Sequence, residues 1–132
     1  MAAKRVELIA ANSVTGDGQG GWMPISTIIM AEVAVDITAA SGTIALDVWL
    51  EVSSDKIKAY EMPADRVLKS SGVAAANAST AGVRDIVDNK TTTTLEKFLA
   101  VYQQLPAAYA RIAWTLSGTT PVVSFTATLT GK

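Results

Sequence analysis

Ile44-Ala45-Leu46-Asp47-Val48-Trp49-Leu50-Glu51-Val52 alternates without a break. Ile44, Leu46, Val48, Leu50 and Val52 fall on one face, and Ala45, Asp47, Trp49 and Glu51 on the other. Successive side chains of a strand point to opposite sides, so the stretch reads as a β-strand with one buried and one wetter face. Three further stretches share the period. Val33, Val35 and Ile37 alternate with Ala34, Asp36 and Thr38. Ile112, Trp114 and Leu116 oppose Arg111, Ala113 and Thr115, and Val123, Phe125, Ala127 and Leu129 oppose Val122, Ser124, Thr126 and Thr128. Val6 and Leu8, and Ile28–Met30, give shorter strand patterns. Such alternation belongs to antiparallel sheets with a solvated face, not to parallel sheets buried on both sides.

Residues 35–48 read strand, Ser41-Gly42-Thr43, strand, and residues 111–125 repeat the design around Ser117-Gly118-Thr119. Glycine supplies a positive φ at a turn, and the serine before it can bond the local backbone. The pattern predicts two long hairpins that pack face to face as an antiparallel β-sandwich or jelly-roll-like domain. The 132 residues fit one such mainly-β domain, 1–132. Residues 64–94 are poor in large apolar side chains and read as a long polar excursion, an extended loop or arm, with one short strand around Val83–Val87. One short helix is expected over 94–104, where Leu95, Phe98, Leu99 and Tyr102 have helical spacing, Thr93 and Glu96 fit a capping box, and Pro106 follows. Phe98–Tyr102 also reads as a strand.

Histidine and cysteine are both absent. That removes Ser-His-Asp and Cys-His nucleophiles, His or Cys zinc sites, haem and iron–sulfur ligation, and disulfides. Charged residues make up 17% of the chain against about a quarter in a typical domain, which suggests surface buried against other protein. The net charge of −1 argues against a basic nucleic-acid footprint. No apolar run reaches the ~18 residues of a membrane span, and the first residues lack the apolar core of a signal peptide.

The remaining candidates are few. Thr15-Gly16-Asp17-Gly18-Gln19-Gly20-Gly21 has dinucleotide-fold spacing at Gly16, Gly18 and Gly21. It lacks the lysine of a P-loop and the helix of a Rossmann turn, so it reads as a flexible turn. Asp17 alone is a poor start for calcium, which gathers six to eight oxygens. Asp47 and Glu51 share a face but stand about 13 Å apart at ~3.3 Å per residue, too far for a carboxylate dyad. Serines and threonines lack a base, and Asp65, Arg66, Arg84 and Asp85 read as surface pairs. Trp114 is in phase with Ile112 and Leu116 and reads as core. Trp49, between Asp47 and Glu51, is either an interface anchor or is covered within the chain by the arm or helix. The sequence therefore offers no catalytic residue, cofactor or metal. Its interface candidates are Trp49, Asp47, Glu51 and Trp22.

Val35-Asp36-Ile37-Thr38-Ala39-Ala40-Ser41-Gly42-Thr43-Ile44-Ala45-Leu46-Asp47-Val48, followed by Ser53-Ser54-Asp55, resembles a segment of small β-sandwich virion proteins of tailed bacteriophages. So does Tyr109-Ala110-Arg111-Ile112-Ala113-Trp114-Thr115-Leu116-Ser117-Gly118-Thr119-Thr120-Pro121, with its last strand and Gly131-Lys132. The resemblance covers residues 33–55 and 109–132. In such relatives a Gly and an aromatic follow the Asp turn, where this chain has Lys56-Ile57. Residues 64–108 have no counterpart, so no partner surface carries over. The resemblance implies a structural, non-enzymatic role: capsid decoration or cement on the major capsid protein, a head-fibre base, or another capsid or tail component. A carbohydrate-binding or tail module of the virion is the alternative. The implied partners are the major capsid protein or neighbouring virion proteins and further copies of the chain, without direct nucleic-acid or membrane contact. The implied location is the virion, after synthesis in the host cytoplasm.

Overall fold

The structure, a computed structural model, describes residues 4–69 and 83–132. The described residues form eleven strands: β1 (Lys4–Val14), β2 (Gly18–Gln19), β3 (Met23–Pro24), β4 (Ala31–Ser41), β5 (Ala45–Ser53), β6 (Tyr60–Met62), β7 (Arg66–Lys69), β8 (Asp85–Lys90), β9 (Lys97–Tyr102), β10 (Tyr109–Ser117) and β11 (Val122–Gly131). A five-stranded antiparallel sheet runs in the order β1-β11-β4-β9-β7. A six-stranded sheet centres on β10 and β5, with β2 and β3 flanking β10 and with β6 and β8 flanking β5. The alternating apolar residues of both sheets meet in one buried cluster, so the fold is a β-sandwich. Trp114 of one sheet meets Phe125 of the other edge to face, with ring centroids 5.4 Å apart at 82°.

The two Ser-Gly-Thr turns are not hairpin turns. β4 pairs with β11 and β9, whereas β5 pairs with β10, β6 and β8. Each turn therefore arches from one sheet to the other, and the two copies pair with each other. The reason is burial: Val33, Val35 and Ile37 of β4 and Leu46, Val48 and Leu50 of β5 all sit in the core, so the strands face each other across the sandwich. The registers mirror one another. Ser41 pairs with Val122 and Ser117 with Ala45; Ala40 pairs with Val123 and Leu116 with Leu46. Exchanging the two copies, with one extra residue in the second turn, thus exchanges the two sheets.

The arches touch through backbone and the Thr43 hydroxyl. The Thr43 N–H donates to the Thr119 carbonyl at 3.2 Å, and the Thr119 N–H donates to Thr43 Oγ1. Gly42 has φ 77° and Gly118 φ 131°. A methyl group at Gly42 would overlap the Thr120 carbonyl oxygen, and one at Gly118 the Thr43 carbonyl oxygen. Glycine is needed at both positions for conformation and for space.

Three other expectations change. The helix over 94–104 is strand β9: Phe98, Ala100 and Tyr102 are buried, while Leu95 is 59% exposed. The strand period buries three side chains on one face, whereas a helix would have needed Leu95 inside. Ile28–Met30 is the bend before β4. Within the expected arm, 64–94, residues 66–69 pair with β9 and residues 85–90 with β5. The expected short strand around Val83–Val87 corresponds to β8, and residues 70–82 of that arm lie outside the described residues.

The return from β8 to β9 carries a buried charge cluster. Lys90 Nζ lies 2.6 Å from Glu96 Oε1, and Lys69 Nζ 3.0 Å from Glu96 Oε2. Burial works against the Glu96 charge, but the two lysines outweigh it and hold its carboxyl below the usual range.

Candidate functional site: the outer face of the six-stranded sheet

The wetter face of β5 is where the sequence placed its candidates, and the register determines their neighbours. Asp47 lies opposite Thr115 of β10, Trp49 opposite Ala113, and Glu51 opposite Arg111. Ala113 leaves room for the indole beside it. On the other side, Trp49 pairs with Asp85 at the start of β8, which brings Arg84 to the ring.

A continuous chain of contacts results. The Arg84 guanidinium lies 4.0 Å above the Trp49 ring. It also bonds Glu61 at 2.8 Å and Asp85 at 2.8 Å. Trp49 Nε1 donates to Glu51 Oε2 at 3.1 Å, and Arg111 Nε donates to Glu51 Oε1 at 2.8 Å. The Arg111 guanidinium in turn lies 4.2 Å above the Trp22 ring. Trp22 stands just ahead of β3, which pairs with Tyr109 and Ala110, and this places it beside Arg111. Two cation–π contacts and three arginine–carboxylate contacts therefore link the residues along the sheet. Burial opposes the Arg84 charge, but its bonds to Glu61 and Asp85 prevail and raise its basicity.

All four candidate residues lie on this face. Trp49, Glu51 and Trp22 belong to the ladder. Trp49 is only 8% exposed in the single chain because Arg84 covers it. Asp47 stands apart from Glu51: it accepts the Asn89 N–H at 2.7 Å and the Thr115 hydroxyl at 3.3 Å. Asn89 has φ 47° in an irregular part of the β5–β8 pairing, and Asp47 holds that irregularity in place. Asp47 and Glu51 thus have separate partners and do not form a dyad.

Carboxylate oxygens of Asp47, Asp85 and Asp88 lie within 4.8 Å of one another. Burial, chiefly, pushes the Asp85 carboxyl up; Asp47 and Asp88 add to this, and Arg84 opposes it. The existing bonds of Asp47 and the Arg84 pairing of Asp85 account for the grouping as packing.

The glycine-rich loop has a structural use. Expected as a flexible turn, residues 15–21 instead dock on β10. Gln19 pairs with Ala113 and Gly18 with Trp114. Trp114 Nε1 donates to the Gly16 carbonyl at 2.9 Å, and the Leu116 N–H donates to Asp17 Oδ1 at 2.8 Å. Asp17, weighed for calcium, is the lock of this loop. Gly18 lets the chain lie against the Trp114 ring, where a methyl group would collide.

Sequence reasoning missed the residues that join the candidates. Arg84 and Asp85 do pair, as expected of neighbours, but Arg84 also covers Trp49. The signal for Arg111 was its place on the outward phase of β10; nothing in the sequence placed β10 beside β5. No family model, curated protein or solved structure matches this chain.

Proposed function

We propose that the chain is a structural component of a tailed-phage virion, a capsid decoration protein that binds the major capsid protein in repeated copies. The observation that carries the reading is the pairing of the arches. Residues 33–55 and 109–132, which bear the resemblance, are a single interlocked unit that forms the middle of both sheets. The chemistry agrees with this reading. The arginines, the Trp49 and Trp22 rings and Glu51 of the outward ladder are matched to one another, and the chain has no histidine or cysteine. Such a part works by burial. A standard contact of ~1,600 Å² in total, repeated over a shell, holds by avidity without high pairwise affinity.

Sugar stacking, the alternative, needs an open ring face, and Arg84 occupies that of Trp49. The test is co-sedimentation of the purified chain with DNA-free shells of the phage that encodes it, together with mass spectrometry of purified virions. Saturable, stoichiometric binding and presence in virions are expected. A chain that ignores the shells and is missing from the virions overturns the reading.

A further inference from the structure

We propose that the loop between β5 and β6, residues 54–59, is a preformed docking knob for a protein surface. Ile57 is its apolar anchor, and Lys56 and Lys58 face carboxylates around the socket that receives it. For the identity of the partner, the capsid protein, the inference rests on the reading above.

The loop is built from its own side chains. Ser53, wholly buried, accepts the N–H groups of Asp55 at 3.3 Å and Lys56 at 3.0 Å on its hydroxyl, which donates to Asp55 Oδ1 at 3.0 Å. The same carboxylate oxygen accepts the N–H groups of Ile57 at 2.8 Å and Lys58 at 3.0 Å. Four consecutive amides are thus satisfied by two side chains, with Lys56 in the left-handed region at φ 64°. The Asp55 carboxyl is held below its usual range chiefly by the Lys58 and Ile57 amides.

That ordered backbone displays an apolar side chain to solvent. Ile57 is 83% exposed, the most of any large apolar residue among the described residues, and Tyr60, at the start of β6, is 59% exposed. A knob whose backbone is already fixed loses little freedom on docking. The charges indicate the kind of partner. Asp55 turns its carboxylate to its own backbone, and Glu61 is bonded to Arg84. Lys56 and Lys58 are exposed and unmatched in sign by these acids, with Lys56 Nζ 4.7 Å above the Tyr109 ring. The complement is an apolar socket with an acidic rim. A membrane surface is the less fitting occupant, because interfacial segments insert a broad apolar face rather than one aliphatic side chain.

Shell binding of the wild-type chain, Ile57→Ser, the double variant Lys56→Glu/Lys58→Glu and Asp55→Ala tests the proposal, with melting curves to confirm folding. Ile57→Ser is expected to weaken binding about 10- to 100-fold, the loss of one buried isoleucine. The double reversal should weaken binding and invert its salt dependence. Asp55→Ala should give a smaller loss through a looser loop. Wild-type binding with Ile57→Ser unchanged overturns the knob and leaves the virion reading standing. No wild-type binding to shells overturns both. Anionic phosphatidylglycerol vesicles that take up the wild-type chain but not Ile57→Ser would assign the loop to membranes and overturn the protein partner.

Discussion

The arched end of the sandwich and the outer face of the six-stranded sheet are held together in opposite ways. At the arches, main chain meets main chain, joined by the Thr43 hydroxyl: Gly42 and Gly118 bring carbonyls and amides into contact with no charged group involved. On the outer face, side chain meets side chain, with guanidinium groups stacked on indoles and bonded to carboxylates. The first kind of contact has no slack, because backbone cannot move aside without moving two strands. The second is assembled from long side chains at partly exposed sites, where each contact contributes little. The arches should therefore be intolerant of single changes, and the outer face tolerant.

Gly118→Ala tests the intolerant side and should have the largest effect. Its φ of 131° is strained for any L side chain, and the new methyl group would overlap the Thr43 carbonyl oxygen. The expected loss is at least about 3 kcal/mol in urea unfolding. Gly16→Ala is the internal control: nothing lies within 4 Å of a Cβ there, and its φ is not in the left-handed range. It should stay within about 0.5 kcal/mol of wild type. Equal losses from the two changes would show that the arches are not held by close backbone contact.

The same contrast explains what could be read in the sequence. The strands of both arches were legible because period-two alternation depends only on which face is buried. The pairing was not. A Ser-Gly-Thr turn gives the same local signal whether the strands it joins lie in one sheet or in two. Only the long-range pairing of β4 with β11 and of β5 with β10 distinguishes an arch from a hairpin. The helical spacing of Leu95, Phe98, Leu99 and Tyr102 misled because two of those positions also fit a strand. The candidates Trp49, Asp47, Glu51 and Trp22 were legible as outward residues of chemical interest. Their cover was not, since Arg84 is 35 positions from Trp49 in the chain. Long-range register, rather than local pattern, decides such neighbours.

Glu96→Gln is expected to have the next largest effect, and it acts on the outer face from beneath. Lys90 is the last residue of β8, the strand that starts beside Arg84 and Asp85. Removing the Glu96 charge leaves Lys90, almost wholly buried, without its counter-ion. A loss of about 2–3 kcal/mol is expected, below the usual cost of breaking a fully buried pair because Lys69 is 25% exposed. The pH dependence supplies a second readout. A carboxyl held below its ordinary range stabilises the fold above the unfolded-state value, and that contribution is lost as pH falls through the folded value. Wild type should lose this contribution in acid below the ordinary glutamate range, and Glu96→Gln should lack that step. An identical acid limb in both proteins would remove Glu96 from the account.

Arg84→Ala probes the outer face directly. It removes one cation–π contact and two partly exposed ion contacts, together about 1 kcal/mol. The clearer readout is optical: the Trp49 indole loses its cover, so acrylamide quenching of tryptophan fluorescence should rise. Trp49→Phe in the same background should abolish that rise. If quenching is unchanged in Arg84→Ala, then another part of the chain covers Trp49.

Asp85→Asn should produce the smallest change, and its sign is the informative part. Burial, with Asp47 and Asp88 nearby, raises the Asp85 carboxyl above its ordinary value. A raised carboxyl means that the folded chain binds the proton more tightly than the unfolded chain. Its contribution is therefore present below the unfolded value and lost as pH rises through the folded one. This is opposite in sign to Glu96. In wild type the two partly offset each other, so Asp85→Asn should steepen the gain in stability as pH rises through and above the ordinary carboxylate range. The urea midpoint at each pH reads this directly. A shallower gain in the variant would mean that Arg84, not burial, dominates the Asp85 carboxyl, and that the outer face is held by its charges more firmly than the arches comparison allows.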